Sequence, residues 1–592
     1  MVALDTYTPE DTKTARETGT RTIAGGALAC EALLANGVTT LFGYPGGAAL
    51  PFYRELARYP ALRHVLVRHE QNAAHAADGY ARSTGRVGVC VATSGPGATN
   101  LLTGLATAFM DCVPVVAVTG QVARAGIGTQ AFQEVDIIGM VGPITKGAFQ
   151  LESAQDIPAV FAEAFRLASE GRPGPVLIDF PKDIQMAAVD VDDPALPAEA
   201  PPWTQPQLSA AAESALQQAA ALLASSERPV LVVGHGVAMA GATDELMRFA
   251  EASGTPVGTT LLGLGAFPDQ HPQALGMVGM HGTVQANLAM HHADLVVGVG
   301  MRFDDRVVGR PRDFAPGARI VHVDVDPRAF DRVVRADVRA LADARLALRE
   351  LARLCDRRER SAWWARLHQW TAAHESCGVV DSDTAPPDAL PTTPEVVRAL
   401  RRVTGGAATV VSDIGQHQMF IALHHGFDRP GQLLTSGGLG TMGYALPAAL
   451  GVKAGQPGRA VWAVIGDGGF QMSSPELSTL VASNLPVKVL IVNNECLGMV
   501  RQWQELFYDN VYSHSILPQP NFEALAKAHG CFATTVLRRD QLERALREAA
   551  LHPGPAVVDV HVPIEETVYP MVASGSVPGD VRCIDAVDAS LC

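Results

Sequence analysis

No apolar stretch in this chain approaches the eighteen or so residues that would span a bilayer, which argues against a membrane protein. There is no basic run either, and a formal net charge of −15 at pH 7 works against a nucleic-acid partner. The nine cysteines are scattered without a CxxC pair. That points away from a disulfide framework or a zinc site and toward a reducing, cytoplasmic setting. The first twenty residues lack the character of a signal or transit peptide. With Asp5, Glu10, Asp11 and Glu17 among them they read as a flexible tail. No short-period repeat is found.

What is present is a long globular composition: 592 residues, 47% hydrophobic and 18% charged, too many for a single core and enough for three or four domains. Short β-rich apolar runs alternate with Ala- and Leu-rich helical segments. The runs include Val87–Ala92, Val115–Thr119, Val176–Ile178, Val230–Val233, Leu295–Val299, Ile320–Val325, Val461–Ile465, Val487–Val492 and Ala556–Val560. Continuous apolar runs of this length, separated by helices, predict parallel sheets covered on both faces. The expected class is therefore α/β, with three doubly wound parallel-sheet domains. Two stretches rich in Pro, Asp and Ala, 187–209 and 373–394, read as linkers and divide the chain into 20–187, 208–355 and 390–565. The first and last pieces share a plan of strand, Gly-rich turn and small-residue helix (SGPGATNLLTGLATA and GGLGTMGYALPAALG).

The chemistry concentrates in the third piece. A run ending in Gly466-Asp467-Gly468-Gly469 is followed by a helical segment and by a second run ending in Asn493-Asn494, 27 positions from Asp467 (494 − 467). Asp467 and Asn494 are thus expected at the carboxyl ends of adjacent parallel strands, the edge where open α/β sheets bind ligands. A carboxylate, an amide oxygen and a nearby main-chain carbonyl make an all-oxygen set suited to Mg²⁺ shared with phosphate oxygens. The glycines, Gly468 among them, let the backbone approach a diphosphate. Two ordinary strand-end turns are the bland alternative; the paired motif at this spacing favours the site.

This arrangement resembles the thiamine-diphosphate binding motif. The resemblance implies that Asp467 and Asn494 hold the metal and that the main-chain oxygen of Cys496 completes the protein ligands. A glutamate then gains meaning. In RHVLVRHEQNAAHAADGYAR a strand at His64–Val67 ends and a helix opens at about Glu70. A carboxylate there could merely complement the helix dipole, an effect of about 0.3–1 kcal/mol. Thiamine, however, needs a carboxyl group on its pyrimidine N1′ before its own amine can remove the thiazolium ring proton. In this enzyme superfamily such a glutamate reaches the cofactor held by another subunit. Met442 is implied as the apolar wedge that bends the cofactor, Gly440 as a pyrimidine contact, and Gln416 and His417 (SDIGQHQ) as diphosphate contacts.

The middle piece resembles the flavin-binding segments of the acetolactate (acetohydroxyacid) synthases, in GMHGTVQAN (279–287), GMRFDDRVVG (300–309) and VHVDVD (321–326). The resemblance implies FAD contacts at Met280, His281, Gly300, Arg302, Asp304 and Asp324, joined by Arg172 in GRPGP and by Thr260, Leu261 and Gly263 in TLLG. The flavin would be structural, since joining keto acids involves no net redox change. GYPGGAALPFY, SGPGATN, GQVARAGIGTQAFQE, PKDIQ and LGMVRQWQ extend the likeness over roughly residues 20–575. They imply catalytic roles for Gly47, Gln133 and Lys182 beside Glu70, and a substrate pocket formed by Phe132, Met499, Val500 and Trp503. Ala123, Gln130, Gly147 and Gln285 depart from the family's usual residues without removing a group the chemistry needs, and the tail after Pro570 follows the family only loosely.

The activity so implied is decarboxylation of pyruvate on thiamine diphosphate and ligation of the two-carbon unit to pyruvate or 2-ketobutyrate, at the entry to branched-chain amino acid synthesis. A homodimer or tetramer and a small regulatory subunit are the implied partners. Other readings are a glyoxylate carboligase, disfavoured by Glu70, a flavin-free acetolactate synthase, disfavoured by FDDRV, a pyruvate oxidase, and a non-catalytic paralogue, which would not need Glu70, Asp467 and Asn494 together.

Overall fold

The computed structural model describes residues 21–191, 207–374, 377 and 385–583. The tail expected over the first twenty residues lies outside them, as do most of the first expected linker and part of the second. Three six-stranded sheets, parallel throughout, carry the described chain. The expected runs form strands in all three, because continuous Val, Ile, Leu and Ala segments can be buried on both faces only inside a helix-covered parallel sheet.

In spatial order, the first sheet runs Arg63–Leu66, Thr40–Gly43, Gly88–Ala92, Val115–Gln121, Val176–Pro181 and Gly147–Gln150. The third runs Leu433–Leu434, Thr409–Ser412, Val461–Gly466, Lys488–Asn493, Ala556–His561 and Phe532–Val536. Counted in chain order within each sheet, both are 2-1-3-4-6-5. The shared local plan of the two sequences thus extends to whole-sheet topology. The middle sheet runs Ala274–Met277, Val257–Thr259, Pro229–Val233, Leu295–Val299, Arg319–Asp324 and Val338–Leu341, order 3-2-1-4-5-6, the dinucleotide-binding pattern. Its hydrophobic surroundings take in Trp363 and Trp370 of the helix Ser361–Ala373. Val191 and its neighbours, in a stretch expected to be linker, form the strand Ala188–Val191, which pairs antiparallel with Arg21–Ala24.

The first and third units share one continuous core, built where the helix Glu70–Thr84 packs on Ala445–Gly455. The approach is that of backbone on backbone: a Cβ at Gly79 would lie 2.1 Å from the Ala448 carbonyl oxygen, and one at Gly451 1.9 Å from that of Ala76. Only glycine fits either place.

One pairing corrects the expectation of no disulfide. Cys377 and Cys583 are bonded, with Cα atoms 5.2 Å apart across 206 positions of sequence. No local spacing signals a partnership that only the fold creates. It ties the segment after the helix Ser361–Ala373 to the hairpin of Met571–Val572 and Val581–Arg582. Among the described residues no helix is long and apolar enough to cross a membrane.

Candidate active site

In the third sheet the strand order reverses between Thr409–Ser412 and Val461–Gly466, and a crevice opens at the carboxyl ends of such neighbours. The segments leaving this edge carry the third-domain candidates. Gln416 and His417 open the helix Gln416–His424, Asp467 follows Val461–Gly466, and Asn494 follows Lys488–Asn493. Asp467 is 2% exposed and accepts a hydrogen bond from the Gln519 amide. Burial pushes its carboxyl up to about 7. Asn494 accepts from the Cys496 main-chain N–H at 3.3 Å, while its amide donates to Gln416 Oε1 at 3.4 Å. Burial raises the Cys496 thiol to about 11, so its side chain is a poor ligand at neutral pH and the main-chain oxygen is the useful donor.

A cavity of about 1080 Å³ begins over these residues. Gln416, His417, Gly440, Met442, Asp467, Gly468, Asn494, Cys496, Met499, Val500 and Trp503 all line it. His417 is kept neutral by burial, its pKa pushed down to about 4, and its Nε2 has no hydrogen-bond partner among the described residues. Gly440 has φ +72°, a left-handed backbone that glycine adopts freely, and a Cβ there would meet nothing within 4 Å. A Cβ on Gly468 would lie 3.5 Å from the Met442 methyl, which places that side chain at the motif's edge. Asp413 fixes the backbone just past Met442: its carboxylate accepts from Gly443 N–H at 3.0 Å and Ala445 N–H at 3.2 Å.

The same cavity runs into the middle unit. Arg172, Thr260, Leu261, Met280, His281, Gly300, Arg302, Asp304 and Asp324 line that end. Arg302 pairs with Asp304 at 3.3 Å, and Asp304 caps the short helix Asp305–Val308. Arg172 lies 3.4 Å from Asp326 and donates to Cys112 Sγ at 3.0 Å. Gly263 is absent from the lining; its Cβ would lie 2.5 Å from the Val233 carbonyl oxygen, so it serves close packing.

Apart from Arg172, the first-domain candidates form a second group that does not line the cavity. Glu70 is the first residue of its helix and accepts from the Asn100 amide at 2.9 Å. Beside it, a Cβ on Gly97 would sit 3.2 Å from Glu70 Oε1 and 2.8 Å from Thr93 Cγ2. Thr93 Oγ1 accepts from Ala48 N–H at 3.2 Å, next to the exposed Gly47. Gln133, at φ +62°, packs against Gly95, and Phe132 is 89% exposed. Lys182 opens the helix Lys182–Met186 and is half-buried. The structure therefore displays two surfaces, one with Glu70 and one with Asp467.

Several contributors escaped the sequence reading. Asn100, the last residue of SGPGATN, had a motif to point to it. Asp413 in SDIGQHQ and Gln502 in LGMVRQWQ, whose side chain accepts from the Gln416 amide at 2.9 Å, also lay inside such motifs, whereas Gln519 carried no such signal.

Comparison with known proteins now bears on the whole arrangement. Three descriptions of the thiamine pyrophosphate enzymes match: the N-terminal TPP binding domain over residues 23–140, the central domain over 216–351 and the C-terminal TPP binding domain over 413–560. The acetolactate synthase large subunit of Mycobacterium tuberculosis is 45% identical over 559 residues, covering 92% of this chain and 89% of that protein. The chain belongs to the acetolactate synthase large-subunit family. The large subunit of Corynebacterium glutamicum is likewise 45% identical, over 92% of this chain and 87% of that protein. Acetolactate synthase isozyme 3 large subunit of Escherichia coli is 42% identical, over 93% and 97%. Each matched region falls on one of the three parallel sheets: the central match contains all six strands of the middle sheet, and the other two contain most of the strands of the first and third.

Proposed function

We propose that this chain is the catalytic subunit of an acetolactate synthase, which decarboxylates pyruvate and joins the two-carbon unit to pyruvate or 2-ketobutyrate. The observation that carries the reading is the pair Asp467 and Asn494, just past the carboxyl ends of two adjacent parallel strands, the first of which borders the switch point, both lining a cavity that continues into the middle unit. Thiamine diphosphate fits this place: a cradle at Gly440, a buried His417 nitrogen unpartnered among the described residues, and the buried Asp467 carboxylate lining the same cavity. It would supply an electron sink for the carbanion left when a keto acid loses CO₂.

Asp467, Asn494 and the Cys496 main-chain oxygen would hold Mg²⁺, and Gln416, His417 and Gly468 would hold the diphosphate. Met442 would set the cofactor's bend, and Gly440 would meet its pyrimidine. FAD would occupy the far end, at Arg172, Thr260, Leu261, Met280, His281, Gly300, Arg302, Asp304 and Asp324. That the pyrophosphate end of a dinucleotide suits the 3-2-1-4-5-6 edge supports this. Gly263 would act behind Thr260–Leu261 by packing.

Glu70 would share a proton with the pyrimidine nitrogen of a cofactor bound to the Asp467 surface of a second copy. The separation of the two surfaces within one chain supports a homodimer at least. In the joined site Gly47, Gln133 and Lys182 would face the reacting keto acids from the Glu70 side. Phe132 would meet Met499, Val500 and Trp503 around the acceptor. The naming of the relatives as large subunits supports a small regulatory subunit as partner.

The test is an assay of purified protein with pyruvate, identifying the product while each cofactor is omitted in turn. Acetolactate formed only with thiamine diphosphate and Mg²⁺ is expected. Acetate as product, or flavin bleached by pyruvate, would make the protein an oxidase instead.

A further inference from the structure

The loop Gly437–Met442, which carries the proposed pyrimidine and wedge contacts, is held from outside its own domain by a buried carboxylate the mechanism does not use. Asp111, 1% exposed, ends the helix Leu102–Met110 of the first domain. Its Oδ1 accepts from Gly438 N–H at 2.7 Å, and its Oδ2 from Gly437 N–H at 3.0 Å. Oδ2 also accepts from Arg82 Nη2 at 2.8 Å. Arg82 is anchored in turn by Asp78, with Nε 2.7 Å from Oδ1, and donates to the Thr435 carbonyl at 3.2 Å, just before the loop. The main-chain oxygen of Asp111 lies 3.1 Å from His235 Nδ1 of the middle domain. Thr107, one turn earlier, meets Thr441 at 2.8 Å. One residue thus touches all three domains and grips two consecutive glycine amides.

We propose that Asp111 is a positioning residue for thiamine diphosphate, fixing Gly437 and Gly438 so that Gly440 and Met442 meet the cofactor in one geometry. The inference rests on the cofactor reading above. A glycine run of this kind has little conformational preference of its own, so the order must come from an external clamp. A carboxylate suits the place because its two oxygens accept from three donors at once, and ionised acceptors make the stronger hydrogen bonds. Asparagine cannot replace it. Its amide nitrogen would face either a glycine N–H or the Arg82 guanidinium, donor against donor.

The experiment compares wild type with Asp111→Asn, in which Arg82 keeps Asp78. Thiamine diphosphate affinity is titrated with Mg²⁺ present, and amide hydrogen exchange at Gly437 and Gly438 is followed in cofactor-free protein. The expected result is a variant with unchanged far-UV dichroism, faster exchange at both glycines and affinity weakened roughly 10–100-fold, the equivalent of about one charge-assisted hydrogen bond. Unchanged affinity in the folded variant overturns the proposal. Should Asp111→Asn fail to fold, the wild-type exchange decides: glycine amides at 437 and 438 exchanging at unprotected rates overturn it, and strong protection upholds the clamp. Wild-type protein that binds no thiamine diphosphate overturns the cofactor reading itself, a failure visible before any variant is made.

Discussion

Glu70 and Asp467 are both carboxylates at the carboxyl edge of a parallel sheet, yet their surroundings prepare them for different work. Asp467 is deeply buried at the end of its strand and accepts from the Gln519 amide. Glu70 is partly open, oriented by a single amide from Asn100. Glu70→Gln keeps the shape and the hydrogen bond from Asn100 through its carbonyl oxygen, but cannot share a proton with a pyrimidine nitrogen. The variant should bind the cofactor normally and lose about 10²–10⁴ in rate. Deuterium exchange of the cofactor's thiazolium proton measures this, and wild-type exchange in the variant would remove Glu70 from the chemistry. At this scale Glu70, Asp467 and Asn494 were legible because their motifs sit where strands end. Asp111 and Gln519 were not, since their partners are chosen by packing between segments hundreds or tens of positions apart.

The helices Glu70–Thr84 and Ala445–Gly455 decide how the first and third domains meet. Gly79 and Gly451 each face a carbonyl oxygen at a distance no Cβ tolerates, so the helices must move apart if either changes. Gly79→Ala is expected to cost at least about 1–3 kcal/mol, the scale of overpacking in a core. Gly458→Ala, where a Cβ would meet nothing within 4 Å, should be near neutral. Denaturant midpoints for the two variants give the comparison, and equal midpoints would refute the close-approach argument. Element identity itself was largely readable, because runs such as Leu295–Val299 and Val461–Gly466 are apolar throughout and short. Less continuous strands such as Gly147–Gln150 and Ala274–Met277 were not, and the strand Ala188–Val191 hid in a segment whose Pro- and Asp-rich continuation suggested linker.

Across the whole molecule, burial displaces many titrations in opposite senses. Carboxyls of Asp413 and Glu566 are pushed up to about 7, whereas the imidazoles of His235, His417 and His425 are pushed down to about 4 and that of His75 to about 3. A single site is therefore best read by difference. His75 is held neutral against the Tyr444 ring, 5.3 Å away, and gains its proton on unfolding once the pH falls below its ordinary value of 6.5. The wild type should lose stability to that proton as pH falls from about 6.5 toward 3, by up to about 1.4 kcal/mol per unit. His75→Phe should accordingly gain on the wild type as pH is lowered through this range. Parallel stability curves would show that His75 does not titrate on unfolding. The central claim is that one catalytic centre needs the Glu70 surface of one copy and the Asp467 surface of another. It is tested most directly by mixing inactive Glu70→Gln with inactive Asp467→Ala under conditions of subunit exchange. Hybrid dimers contain one intact centre, so acetolactate formation should return to a fraction approaching a quarter of the wild-type rate for an equal random mixture, as expected if the two centres of a homodimer are independent. No recovered activity, with exchange demonstrated, would contradict the account and place both residues in a site within one chain.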